Sequence, residues 1–322
     1  MFISIILIAL GFVLLIKGAD YLVDGASNIA KKFHIPEIII GLTIISIGTS
    51  MPELFVSITS AIEGYSDMAI GNVIGSNIAN LFLILGVSAI VKSIPFKRET
   101  RLIEIPLCFF ISIIFFAICI TGQDISKLDA GILIALFIVF IIYTIIMAKK
   151  GEEFENKGNN SEESKEENSE RKSSTFKEIC AIILGIIALK FGGDLAVDNA
   201  VKVATILGLS EKIISVTILA IGTSLPELVT SVSAAAKGKS DIAIGNILGS
   251  NIFNMLLIIG TSAAIKPIVY NMSYNKDSII LLAGTLVLAL FPIIPPKNEM
   301  SRMNGIIYVI MYLGYMASLF FI

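Results

Sequence analysis

The chain has 322 residues, of which 55% are hydrophobic and 16% charged, and its mean hydropathy is +0.88. That balance excludes a soluble domain of this size and indicates an integral membrane protein. The formal charge of −2 points to no partner, because in a membrane chain the placement of basic residues carries the information.

Apolar stretches long enough to cross a bilayer, about 20 residues each, fall at 2–23, 36–62, 67–91, 102–121, 125–148, 176–200, 210–236, 241–265, 277–295 and 304–322. They predict an all-α membrane fold of ten transmembrane helices. The first lacks a basic leader region and a small-residue cleavage site before Lys17, so it reads as a retained helix. The second carries "SIGTSMPELFVS" (46–57), which sets a glycine, a proline and Glu53 inside an apolar run. Pro52 cannot donate a backbone hydrogen bond and crowds the carbonyl four residues back, so the helix breaks there and frees carbonyls near Ser46–Thr49. Freed carbonyls are costly in hydrocarbon unless they line a site.

The third stretch holds "SDMAIGNVIGSNIAN" (66–80), with Asn72, Ser76 and Asn80 on one helical face. Its GxxxG spacing (Gly71, Gly75) equally suits close helix packing. Cys108 and Cys119, like Cys180 further on, show no CxxC spacing and read as packing residues. Residues 151–174, "GEEFENKGNNSEESKEENSERKSS", are acidic and nearly free of apolar side chains, and so read as a solvated linker with no binding role.

Beyond the linker the first half returns. "GADYLVDGA" (18–26) reappears as "GGDLAVDNA" (192–200), and "AIGTSLPELVTS" (220–231) repeats 46–57 at a displacement of 174 residues. "SDIAIGNILGSNIFN" (240–254) matches 66–80 at 11 of 15 positions, bringing Gly245 and Gly249 in the places of Gly71 and Gly75. The organisation predicted is a first half at 1–150, a linker at 151–174 and a second half at 175–322. Five spans per half force the second copy to cross in the opposite sense, giving two inverted five-helix repeats, an architecture that places a site at the repeat interface near the midplane. With the N-terminus outside, 17 Lys and Arg fall on the cytoplasmic side and five (Lys127, Lys202, Lys212, Lys266, Lys276) outside. The positive-inside rule then places both termini outside and the central loop in the cytoplasm of a multi-pass cell-membrane protein.

Ser50, Glu53 and Ser57 share one helical face, as do Ser224, Glu227 and Ser231; Asn246, Ser250 and Asn254 repeat the asparagine stripe. Every ligand offered is an oxygen, which suits hard cations and disfavours zinc, copper or iron. Two carboxylates match the charge of one divalent ion. Leaving each glutamate buried and unpaired costs at least ~2.5 kcal/mol, which a bound cation removes. Asp20, Asp24, Asp194 and Asp198 lie near span ends and are left out of the site; Lys17 and Lys190 are placed to snorkel or to pair with them.

The doubled "GTSxPE" and "GNxxGSNIxN" strings resemble the paired α-repeats of the cation/calcium exchanger superfamily, in particular archaeal and bacterial sodium/calcium exchangers. The resemblance covers essentially the whole chain. It implies an antiporter exchanging sodium for calcium by alternating access, three sodium ions per calcium, with the two ions and the lipid bilayer as its partners. No cofactor, nucleic acid or obligatory protein partner is implied. By matching, Glu53 and Glu227 sit at the centre of the cation cluster. Thr49 and Thr223 give backbone oxygens to calcium, Ser50, Ser224, Ser76 and Ser250 help hold sodium, and Asn80 and Asn254 line the middle site. Ser46 and Ala220 stand where the family uses a carbonyl. Some members, the potassium-dependent ones included, carry an aspartate at the Asn254 position; two asparagines resemble the potassium-independent branch. Calcium/proton antiport is the alternative within the superfamily, although proton-coupled relatives carry a glutamate in the "GN" helices. An intramembrane hydrolase explains neither glutamate motif, and "GGD" (192–194) and the single His34 are weak signals for one, so no enzyme is expected. A selective channel differs from an antiporter in flux coupling.

Overall fold

The computed structural model describes residues 1–122, 124–158, 175–208, 220–293 and 298–319. Among the described residues, eleven longer helices carry the fold: α1 Phe2–Lys32, α2 Glu37–Thr49, α3 Met51–Glu63, α4 Ser66–Val91, α5 Thr100–Thr121, α6 Lys127–Gly158, α7 Thr175–Ile206, α8 Leu225–Ala236, α9 Ser240–Ile265, α10 Asn275–Leu290 and α11 Arg302–Ser318. Among the described residues, α1, α4, α5, α6, α7 and α9 are long and apolar enough to cross a membrane, and the bent pair α2–α3 makes a seventh candidate. Helices α10 and α11 are 16 and 17 residues long, and the stretch expected at 210–236 is described only from a helical turn at Ala220–Gly222 onward. Helix α6 runs eight residues into the segment expected to be linker, and 159–174 lies outside the described residues.

Helices α4 and α9 form the centre: 78% and 94% of their most apolar windows are buried, against 22% for α1 and α6. This is the arrangement expected where no water surrounds the spans, with the more polar helices innermost. The polar residues of α4 and α9 are buried because these two helices face one another inside a lipid-facing ring.

The glycines set how closely the elements approach. Helix α1 lies on α7 through Gly11, whose Cβ position would fall 2.8 Å from Ala196 N and Gly192 O, and through Gly18 against Leu189 N. Gly245 and Gly249 put α9 backbone against α2 at Ile38 and Leu42, so the second-copy GxxxG serves packing. Two short antiparallel strand pairs tie the loops: Ile94–Pro95 with Glu299–Met300, and Asp124–Ile125 with Ile268–Val269. Strands beginning at Ile94 and Ile268 are related by the same displacement of 174 as the sequence repeat.

Candidate cation site

The expected helix breaks are present in both copies with nearly the same backbone. Ser50 (φ −85°, ψ 9°) separates α2 from α3 with a 51° bend, and Ser224 (φ −88°, ψ 6°) precedes α8. Pro52 and Pro226 then occupy the first turns of α3 and α8, where a missing amide proton costs nothing. Glu53 and Glu227 therefore also lie in first turns, whose free amide protons favour a negative charge.

Both carboxylates are buried, with 1% of each residue exposed. Ser50 shares a helical face with Glu53, and Ser224 with Glu227, yet the serine at each break bonds the glutamate of the opposite copy. Ser50 donates to Glu227 Oε1 at 2.9 Å, and Ser224 to Glu53 Oε1 at 3.5 Å. Ser250 Oγ lies 2.9 Å from Ser50 Oγ, and Ser76 is buried on α4. Thr49 donates to Asn246 Oδ1 at 3.1 Å, and Asn246 in turn donates to Ser231 at 2.9 Å. Asn72 makes the matching bond to Ser57 at 2.9 Å and reaches the Glu53 carbonyl at 3.1 Å. Thr223 is half-buried in the turn before Ser224. The Ser46 hydroxyl is engaged by the Leu42 and Thr43 carbonyls, and its own carbonyl accepts from Ser50 N at 3.0 Å. Ala220 opens the first described turn after the residues outside the description.

A second layer escaped the sequence reading. Asn77 and Asn251 donate to one another's backbone carbonyls at 3.3 Å each, a closed pair across α4 and α9. Their side-chain oxygens accept from Asn80 (3.0 Å, to Asn251) and Asn254 (2.9 Å, to Asn77). Each of these bonds uses an amide nitrogen of Asn80 or Asn254, so the amide oxygens turn elsewhere. Asn80 lies in a π-helical segment, Ala79–Ile84, and Asn254 opens another, Asn254–Ile258. Such wider turns recur at functional sites. Asn77 and Asn251 both lie in the repeated "GSNI", one residue off the i, i+4, i+8 stripe.

Four buried acceptor oxygens are left without a hydrogen-bond partner here: Glu53 Oε2, Glu227 Oε2, Asn80 Oδ1 and Asn254 Oδ1. Buried acceptors are ordinarily satisfied, and these four repeat-related exceptions, two carboxylate and two amide, are oxygens of the kind that hard cations take. Among the described residues no three or more His, Cys, Asp or Glu gather as a metal cluster, so two carboxylates with neutral oxygens are the chemistry offered.

Three of the four aspartates set aside are engaged elsewhere, and Asp198 is exposed. Asp20 pairs with Lys237 at 2.8 Å, and Asp24 with Lys237 and Lys239 at 2.9 and 2.7 Å. Lys190 pairs with Asp194 at 2.6 Å as expected, whereas Lys17 is exposed.

The family model described as sodium/calcium exchanger protein matches residues 3–146 and 177–321. The sodium/calcium exchanger MaX1 of Methanosarcina acetivorans is 35% identical over 99% of both chains. The inner membrane protein YrbG of Escherichia coli is 34% identical over 90% of this chain and 89% of its own. The solved structure of the sodium-calcium exchanger NCX_Mj, soaked with sodium and no calcium, superposes with a TM-score of 0.82 at 32% identity and covers 98% of each chain. With a doubled carboxylate motif, a matched fold and a family match in both halves, the chain belongs to the sodium/calcium exchanger protein family.

Proposed function

We propose that this protein is a secondary active antiporter that exchanges sodium for calcium by alternating access, through ten spans in two inverted five-helix repeats joined by 151–174. The observation that carries the reading is the set of four unpartnered oxygens, two carboxylate and two amide, contributed by corresponding positions of both halves. Calcium takes six to eight oxygens, charged and neutral together, so Glu53 and Glu227 supply its charge balance. Thr49, Thr223, Ser50, Ser224, Ser76, Ser250, Asn80, Asn254, Ser46 and Ala220 supply neutral oxygens to calcium or sodium. Cation and carboxylates sit in low dielectric, so removing the ion leaves two like charges in one pocket. Exchange follows from that cost: calcium departs when sodium ions replace it.

Energetics favour three sodium ions per calcium for extrusion. A tenfold gradient supplies ~1.4 kcal/mol per ion, so two ions support a calcium ratio of about a hundredfold. Three ions supply ~4.1 kcal/mol, and one net charge at ~100 mV adds ~2.3, together a ratio above ~10⁴.

Calcium uptake into proteoliposomes loaded in turn with sodium, potassium or protons tests the reading. Uptake is expected from the sodium-loaded vesicles, faster with a clamped inside-positive potential. Uptake driven only by a proton gradient would replace this reading with calcium/proton antiport, and insensitivity to voltage would replace the three-to-one cycle.

A further inference from the structure

Helical serines and threonines in a low-dielectric interior normally return their hydroxyl to a carbonyl one turn back. This chain follows the rule at Thr43 (to Ile39, 2.6 Å), Ser112 (to Cys108, 2.8 Å), Thr261 (to Leu257, 2.7 Å) and Thr285 (to Leu281, 2.9 Å). Ser88 and Ser262 break it. Both are fully buried, both hydroxyls lack a partner among the described residues, and they are the same position of the two repeats, 174 apart.

Their surroundings are also repeated. The last segment of α9, Ile259–Ile265, packs on α3, and the last segment of α4, Leu85–Val91, packs on α8. Two lysines set the register. Lys266 Nζ lies 2.8 Å from the place of a Cβ on Gly64, just past the end of α3, and Lys92 Nζ lies 2.8 Å from that of Gly238, past the end of α8. One turn inward along each pair, Ser262 comes level with Ser60 and Ser88 with Ala234. Further inward stand Ser57 and then Glu53 in the first case, Ser231 and then Glu227 in the second, all four buried. Two further buried hydroxyls lack a partner among the described residues, Thr230 beside Ser231 and Thr100 at the start of α5, and these two do not correspond across the repeats. Buried hydroxyls thus lie at single-turn steps between each glutamate and an end of the bundle: Ser57, Ser60 and Ser262 in the first case, and Ser231 and Ser88 in the second, where Ala234 leaves Ser88 the only hydroxyl at its level.

We propose that Ser262 and Ser88 are transient coordination positions for a partly dehydrated hard cation, sodium or calcium, one on each path between the glutamate pair and a membrane face. The proposal rests on the exchange reading and adds the route to it. An oxygen held free of the helix backbone replaces one water of the ion's hydration shell midway.

The test uses the full-length protein with Ser88→Ala, Ser262→Ala and the corresponding threonine variants. Equilibrium calcium binding in detergent should change less than twofold, because neither residue touches the glutamates. Saturated sodium-driven calcium uptake should fall about tenfold in each alanine variant, the rate equivalent of one hydrogen-bond-sized interaction, and threonine should restore it. Thermal stability should hold or rise, since alanine removes an unsatisfied group. Wild-type turnover in both alanine variants overturns the proposal alone. So does a loss of turnover that tracks a loss of thermal stability and that threonine does not rescue, which marks a structural hydroxyl. Absence of sodium-driven uptake by the unsubstituted protein overturns the exchange reading first and this route with it.

Discussion

At the scale of single residues, the doubled strings made Glu53 and Glu227 legible, because a carboxylate inside hydrocarbon must answer to something and a second copy removes chance. What the strings could not show was the partner of each side chain. Spacing places Ser50 on the face of Glu53, yet its hydroxyl goes to Glu227, because the helix breaks at Ser50 and turns it toward the opposite copy. The Asn77–Asn251 pair was hidden for the same reason: periodicity orders residues around one helix and says nothing about which neighbour each face meets. That pair orients Asn80 and Asn254 by holding their nitrogens. Asn251→Ala should therefore weaken calcium binding about tenfold, ~1.4 kcal/mol, with Glu53 and Glu227 intact. Titration calorimetry on the purified variant checks this; unchanged affinity would show that the asparagine pair only packs α4 on α9.

At the scale of elements, breaks and glycines decide what can approach the site. Pro52 and Pro226 foretold the breaks from sequence. The π-helical turns carrying Asn80 and Asn254 were not foretold, because a one-residue widening leaves the hydrophobic pattern almost unchanged. The GxxxG spacing at Gly249 suits close packing, and the structure places backbone against it: a Cβ there would fall 2.7 Å from Leu42 Cα and O. Gly249→Ala should lower stability by ~1–3 kcal/mol through overpacking, seen as a lower melting temperature in detergent. Gly131→Ala, whose Cβ meets no described atom within 4 Å, should be neutral or slightly stabilising by helix propensity. Equal behaviour of the two variants would contradict the close approach of α9 to α2.

At the scale of the molecule, the internal repeat organises everything from strand pairs to the glutamates, and that was legible because the displacement of 174 holds from the first helices to the asparagine stripes. The orientation proposed, both termini outside and the central loop cytoplasmic, rests on the Lys and Arg distribution. In a chain freed of its three native cysteines, Ser164→Cys should resist an impermeant thiol reagent in intact cells and react after permeabilisation; prompt labelling from outside would reverse the orientation. The central claim is that carboxylates from both halves hold one calcium ion between them. A calcium-binding isotherm on purified protein, beside Glu53→Gln and Glu227→Gln variants that retain their melting behaviour, tests it most directly. One high-affinity calcium per chain, lost in either variant, is the expected result; a variant that keeps that calcium at unaltered affinity would contradict a shared site.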